Sequence, residues 1–154
     1  MTISLLVDGD ACPVKPEIYK VSKRYGLCVK VVSNSWFRVP DDPLVELVVV
    51  SDGFDAADDW IAERASESTI VVTADILLAD RALKSGATVL SPTGKPFTEN
   101  SIGGTVATRA IMADLRSGAV GENIGGPSPF GQKDRSRFLS ALDHSINKLK
   151  RAST

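Results

Sequence analysis

The stretch ISLLVDGDACP, residues 3–13, decides the fold of this chain. Its apolar run ends at two aspartates, Asp8 and Asp10, with one glycine between them. A buried strand cannot continue through two carboxylates, so we expect the strand to end at Asp8, and Pro13 suits the first turn of a helix. The stretch therefore predicts a strand, a turn and a helix start. In an open α/β sheet, this is the place where ligands bind.

Apolar runs alternate with helical periodicity along the rest of the chain. Strands are predicted over 27–33, 44–50, 69–72 and 87–90, the last at a sheet edge, and helices over 14–25, 55–67 and 76–85. A helix over 101–117, a glycine- and proline-rich loop over 118–132 and a final helix from about 133 follow. The pattern predicts an α/β fold, with a doubly wound parallel sheet of about five strands, helices on both faces and a C-terminal helical extension.

The length of 154 residues fits one domain, with a core over about 3–91 and the C-terminal helices and loop over about 92–150. Cys12 and Cys28 lack the spacing of a zinc site, and no signal segment is recognisable at the N-terminus. No apolar run approaches 18 residues, which argues against a membrane partner. We therefore expect a cytoplasmic protein. The sequence does not indicate its oligomeric state.

Charge is distributed unevenly along the chain, although the net charge is only −1. The segment 41–80 holds eleven acids and one base, whereas the segment from Lys133 to the end holds six bases and two acids. An acidic middle suits a cation, and a basic C-terminal segment suits phosphate. Many of these charges are equally compatible with solvated helix faces.

Polar side chains follow four of the predicted strands. Because the carboxyl ends of parallel strands meet at one edge of a sheet, we expect these groups to gather there. They are Asp8 and Asp10, Ser33 and Asn34, Asp55, Asp58 and Asp59, and Thr73 and Asp75. Neighbouring carboxylates cannot all stay ionised in a low dielectric without a cation. An oxygen-only ligand set favours Mg²⁺ or Mn²⁺ over zinc.

Four motifs resemble the YaiI/YqxD family of uncharacterised bacterial proteins. They are VDGDACPVK at 7–15, GFDAADDWI at 53–61, VTADILLAD at 72–80 and GGPSPFGQKDRSRF at 125–138, so the resemblance covers about residues 3–149. The fold of that family resembles the PIN and NYN domain nucleases, which place an aspartate after the first strand and T-x-D after a later one. Asp8 and the segment 73–75 match these positions, and the resemblance implies a single PIN-like domain over 1–154.

The resemblance implies metal-assisted hydrolysis of phosphodiesters, with RNA favoured over DNA as substrate. Asp8, Asp58 and Asp75 would be the catalytic metal ligands for Mg²⁺ or Mn²⁺. Three further aspartates would complete the metal site or orient the attacking water, and three bases beside the glycine-rich loop would bind neighbouring phosphates. The aspartates are Asp10, Asp55 and Asp80, and the bases are Lys133, Arg135 and Arg137.

Other interpretations of these residues remain open. In a haloacid-dehalogenase-like phosphatase, which also begins with D-x-D after the first strand, Asp8 would be the nucleophile and Asp10 the general acid. A non-catalytic RNA-binding or regulatory module is a further possibility. Trp36 and Phe37 suit either base stacking or packing against the sheet. A position near a helix N-terminus would lower the pKa of Cys12, but a small buried residue is the favoured interpretation.

Overall fold

Strand β1 (Ser4–Asp8) lies in the middle of the sheet, hydrogen-bonded to a parallel strand on each side. The computed structural model describes residues 3–9, 12–51, 56–98 and 131–152. Leu5 and Val7 are fully buried towards one face of β1, and Leu6 is 3% exposed towards the other. A strand that is buried on both faces needs helices above and below the sheet, as in doubly wound folds.

Six strands in the described residues form one sheet in the order β3-β2-β1-β4-β5-β6. They are β1, β2 (Cys28–Ser33), β3 (Val45–Val49), β4 (Thr69–Val72), β5 (Thr88–Leu90) and β6 (Pro96–Phe97). The first five run parallel, and β6 pairs antiparallel with β5. The predicted α/β sheet is confirmed, but β5 does not form its edge. The two residues of β6, one a proline, are too short a run to predict a strand.

Four helices cover the sheet in the described residues: α1 (Lys15–Tyr25), α2 (Ala56–Arg64), α3 (Ile76–Lys84) and α4 (Gln132–Ala152). Helices α1 and α4 share one core cluster, and α2 and α3 share the other. The predicted helices over 14–25, 55–67 and 76–85 are thus present with slightly shorter bounds. The predicted helix over 101–117 and nearly all of the predicted loop lie outside the described residues.

Helix α4 packs along α1 through Phe138, Leu142 and Ile146, all of which are fully buried. Its first turns lie beside the start of α1, where Arg135 donates to the carbonyl of Pro13 at 2.9 Å. Its later turns lie beside Tyr25, the last residue of α1. Helix α4 therefore runs in the same direction as α1, away from the carboxyl edge of the sheet. None of the helices in the described ranges has the length and apolar content to cross a membrane.

The turn between β5 and β6 touches the backbone of α4 at Gly94. Gly94 has a φ of +87°, and a Cβ atom there would lie 2.7 Å from the carbonyl carbon and oxygen of Arg137. We expect Gly94→Ala to lower the free energy of unfolding by the cost of a left-handed alanine, about 1–2 kcal/mol, plus an overpacking cost of about 1–3 kcal/mol. Urea denaturation followed by circular dichroism measures the loss.

Gly26 provides the matched control for this substitution. It ends α1 with a φ of +66°, and a Cβ atom there would meet nothing within 4 Å. Gly26→Ala should therefore lower the free energy of unfolding only by the cost of a left-handed alanine, without the overpacking cost. Equal losses for the two variants would contradict the close packing of α4 against the turn.

Candidate functional site

The strand order reverses between β1 and β4. From β1 the chain proceeds through β2 and β3 to one side, and then returns through α2 to place β4 and β5 on the other side. In open α/β sheets, ligands bind in the crevice at the carboxyl ends of the strands where this reversal occurs. Asp8 is the last residue of β1, and Thr73 directly follows β4. Both residues therefore border the crevice.

The hydroxyl group of Thr73 connects the two strand ends. Its Oγ1 atom donates a hydrogen bond to Oδ2 of Asp8 at 3.0 Å and accepts one from the backbone N–H of Asp75 at 2.9 Å. Thr73 is only 2% exposed, so its side chain is packed among neighbouring residues. Because one buried hydroxyl contacts both residues, the carboxylate of Asp8 has a defined orientation next to the turn that carries Asp75.

Asp75 is the N-cap of α3. Its Oδ1 atom accepts hydrogen bonds from the backbone N–H groups of Leu77 at 2.9 Å and Leu78 at 3.3 Å. A carboxylate is favoured here because the N–H groups of the first turn lack partners within the helix and carry partial positive charge. The half-buried side chain of Asp75 thus caps the helix, and its Oδ1 atom is used for these hydrogen bonds.

Gly9 allows the chain after Asp8 to lie close against β2. A Cβ atom at this position would lie 2.7 Å from Cγ1 of Val31 and 3.0 Å from the carbonyl oxygen of Val32, both on β2. A side chain would thus push the turn away from β2. The small residue between the two aspartates of the motif is required for packing against the neighbouring strand, next to the candidate ligand.

The other acidic residues predicted at this edge differ in burial and in ion pairing. Asp58 lies half-buried in the first turn of α2, whereas its neighbour Asp59 is exposed and pairs with Arg81 of α3 at 2.8 Å. Asp80 pairs with Lys84 at 2.9 Å, one turn further along α3. Asp10 and Asp55 lie outside the described residues.

No group of three or more His, Cys, Asp or Glu side chains that could hold a metal ion occurs among the residues that the structure describes. The assignment of Asp8, Asp58 and Asp75 as metal ligands stays a prediction. Within this set, Thr73 connects Asp8 with the backbone of Asp75 through two hydrogen bonds.

The three predicted phosphate-binding residues differ in their surroundings. Arg135 forms an ion pair of 2.5 Å with Glu17, which is itself 9% exposed, and fastens α4 to α1. Lys133 is exposed, and Arg137 is exposed with a loose contact of 3.7 Å to Asp134. A nearly buried carboxylate holds the guanidinium group of Arg135 more firmly than a surface pair would, so Lys133 and Arg137 are the better candidates for an external anion.

The two aromatic residues after β2 differ in their exposure. Trp36 is 74% exposed, while Phe37 packs against the core and lies under the ammonium group of Lys15, 4.6 Å from the ring centre. Phe37 thus has a packing role that includes a cation–π contact. Trp36 remains accessible near the carboxyl edge of β2.

Cys12 is buried, as the favoured interpretation of the sequence predicted. Burial raises the pKa of its thiol to about 11, outweighing the opposite effects of a backbone hydrogen bond at Val14 and the charge of Lys15. Burial also raises the pKa of the neighbouring Tyr19, whose hydroxyl group has no hydrogen-bond partner among the residues that the structure describes. Cys12 is therefore a protonated thiol at neutral pH rather than a nucleophile.

Two features of the site carry no signal in the sequence. Glu17 is a charged residue in an amphipathic helix, where exposure is expected, yet its carboxylate is nearly buried against Arg135, 118 positions away. The contact of Thr73 with Asp8 spans 65 positions. Local patterns do not report contacts at such separations, although the T-x-D motif had marked Thr73 as part of the edge.

The fold and the crevice define a doubly wound α/β protein with carboxylate and hydroxyl groups at its strand-order reversal. The sequence model described as "Uncharacterized BCR, YaiI/YqxD family" matches residues 6–148. This chain belongs to that family, as the motifs had indicated.

Several relatives named "UPF0178 protein" match over almost their whole length. The relative from Sphingopyxis alaskensis is 69% identical over 147 residues, which cover 96% of this chain and 95% of that protein. The relative from Nitrobacter winogradskyi is 58% identical over 150 residues, which cover 97% and 94%. No solved structure matches this chain.

The Thr73 bridge can be tested by removing only its hydroxyl group. Thr73→Val keeps the shape but leaves the backbone N–H of Asp75 and one oxygen of Asp8 without this partner, so we expect a loss of about 1–3 kcal/mol in the free energy of unfolding. Thr73→Ser keeps the hydroxyl group, so its free energy of unfolding should fall clearly less. The loss is measured by chemical denaturation, and a serine variant as unstable as the valine variant would contradict the bridge.

The raised pKa of Cys12 predicts unequal thiol reactivity. At pH 8, one thiol per chain should react rapidly with Ellman's reagent, namely that of the exposed Cys28, and the second only after unfolding. Cys28→Ser should remove the rapid phase, and its persistence would contradict the burial of Cys12. Since the unfolded thiol loses its proton first, the contribution of Cys12 to stability should fall as the pH rises from about 9 to about 11.

Proposed function

We propose that this protein is a metal-dependent phosphodiester hydrolase that acts on nucleic acid, with RNA preferred, at the crevice between β1 and β4. The observation that carries the proposal is the arrangement of Asp8, Thr73 and Asp75 at the strand-order reversal. The position is the one at which open α/β sheets bind ligands, and the donor groups are those that hard divalent ions prefer.

The ligand chemistry of the crevice supports Mg²⁺ or Mn²⁺. Mg²⁺ in enzymes is commonly held by only one or two carboxylates and keeps several of its waters, so a full cage of protein ligands is not required. Asp8 and Asp75 provide two carboxylates, each with one oxygen already oriented by a hydrogen bond. Asp58, Asp10, Asp55 and Asp80 remain candidates for a further direct or water-mediated contact.

Each residue of the crevice has a distinct task in this proposal. Asp8 and Asp75 would hold the ion, and Thr73 would keep the carboxylate of Asp8 in one orientation. When bound, a divalent ion lowers the pKa of a coordinated water and neutralises charge on the phosphoryl oxygens. Lys133 and Arg137, in the first turns of α4, would attract the phosphates that flank the scissile bond.

The proposal predicts a metal-dependent nuclease activity that Asp8→Asn abolishes. We expect Mn²⁺ or Mg²⁺ to support cleavage of labelled single-stranded RNA. Asp8→Asn should lower the rate by more than about 100-fold, because loss of even an outer partner of a metal ligand typically costs 10–100-fold. Titration with Mn²⁺ followed by electron paramagnetic resonance should show weaker binding to this variant.

Asp59→Asn is the matched control, because it makes the same chemical change on an exposed carboxylate that is paired with Arg81. It should retain cleavage and Mn²⁺ affinity. Cleavage that survives in Asp8→Asn would identify a contaminating nuclease. RNA binding without any metal-dependent cleavage would favour the non-catalytic module, and rapid hydrolysis of an aryl phosphate would favour the phosphatase; each of these results would overturn the proposal.

A further inference from the structure

One face of α4 carries a continuous row of exposed residues that contains four bases. The row consists of Lys133, Arg137, Ser140, His144, Lys148 and Arg151. Successive members are three or four positions apart, so they lie above one another on one side of the helix. At a rise of 1.5 Å per residue, the row extends over about 27 Å. We call these six residues the basic row.

No carboxylate of α4 lies within the basic row. The helix has two acids, Asp134 and Asp143, and both are half-buried. Asp134 accepts a hydrogen bond from the backbone N–H of Gly131 at 3.1 Å and makes the loose contact of 3.7 Å with Arg137, and Asp143 accepts a hydrogen bond from the hydroxyl group of Tyr25. The basic row therefore places four bases and no acid along one side of the helix, although the chain as a whole is close to neutral.

An open groove of about 670 Å³ runs beside the basic row, between α4 and the strands β5 and β6. Arg137, His144 and Lys148 line its α4 side. Apolar side chains that are at least partly exposed, among them Pro96 and Phe97, line the strand side, and the described residues that border the groove include no Asp or Glu. The groove thus combines cations along one wall with apolar and aromatic surface along the other.

The groove begins near the crevice described above. Gly94, which follows β5, and Arg137 border it at the carboxyl edge of the sheet, and Thr88 and Lys148 border it towards the opposite edge. Since α4 runs away from the carboxyl edge, the basic row leads from the neighbourhood of the strand-order reversal along the side of the molecule. A ligand that followed the row would have one end near the crevice.

From this geometry, we propose that the basic row and its groove bind single-stranded nucleic acid, with phosphates along Arg137 and Lys148 and bases against the apolar wall. Proteins that bind single strands combine a positively charged groove with surfaces on which bases stack, over site sizes of about 4 nucleotides or more. An acidic peptide would use the cations but has no bases for the apolar wall. The inference rests on the proposed function for its substrate class, and extends it to residues far from the crevice.

The double variant Arg137→Ala with Lys148→Ala tests the inference. Binding of a fluorescent 12-nucleotide single strand is measured by anisotropy in EDTA, so that cleavage plays no part. We expect binding at least tenfold weaker at about 50 mM salt, and a slope of log K against log [salt] smaller in magnitude by about 1.4, since each phosphate contact to a single strand contributes about 0.7.

Arg64→Ala with Lys84→Ala is the control, because it removes two exposed positive charges from α2 and α3 on the other face of the sheet. It should leave the affinity and the salt slope unchanged. Circular dichroism shows whether each variant is folded. Equal weakening by both double variants, or none by the first, would overturn the inference.

Two further measurements distinguish this inference from binding of an acidic protein and from the proposed function. Polyglutamate at equal charge should compete at least tenfold more weakly than unlabelled RNA, and equal competition would overturn the inference in favour of an acidic protein partner. If the unaltered protein binds through the basic row but does not cleave, the proposed function fails while the inference stands. If the unaltered protein cleaves but the double variant binds as well as it does, the inference fails while the proposed function stands.

Discussion

The burial of β1 on both faces is the constraint on which the rest of this structure depends. Leu5, Leu6 and Val7 are almost completely removed from water, so helices must cover the sheet from both sides. The chain achieves this by placing α1 on one face and α2 on the other, which requires the strand order to reverse beside β1. The crevice at Asp8 is a direct consequence of that reversal.

A second constraint is the electrostatic connection between the two ends of the chain. The ion pair of Glu17 with Arg135, supported by the carbonyl of Pro13, fastens the start of α4 to the start of α1. With Arg135 used in this way, four other bases of α4, namely Lys133, Arg137, Lys148 and Arg151, form the exposed basic row. The near-zero net charge thus conceals a separation of acidic groups at the crevice from basic groups along one helix.

Elements that depend on interactions between residues close in sequence were predicted, and contacts between distant residues were not. The five parallel strands and the helices α1, α2 and α3 were predicted because apolar periodicity and turn residues act within a few positions. Strand β6 was not predicted, since its two residues are held only by pairing with β5. The contact of Arg135 with the nearly buried Glu17 spans 118 positions, so no local pattern predicts it.

The same distinction applies to the candidate site. Local pattern was sufficient to establish the α/β class, the carboxylate at the end of β1 and the T-x-D turn after β4, because strands end where polar side chains can no longer be buried. Only long-range packing decided that Thr73 contacts Asp8, that Asp59 pairs with Arg81, and that the basic row borders a groove. These outcomes depend on which strands and helices become neighbours, and that choice minimises exposed apolar surface over the whole chain rather than within any one segment.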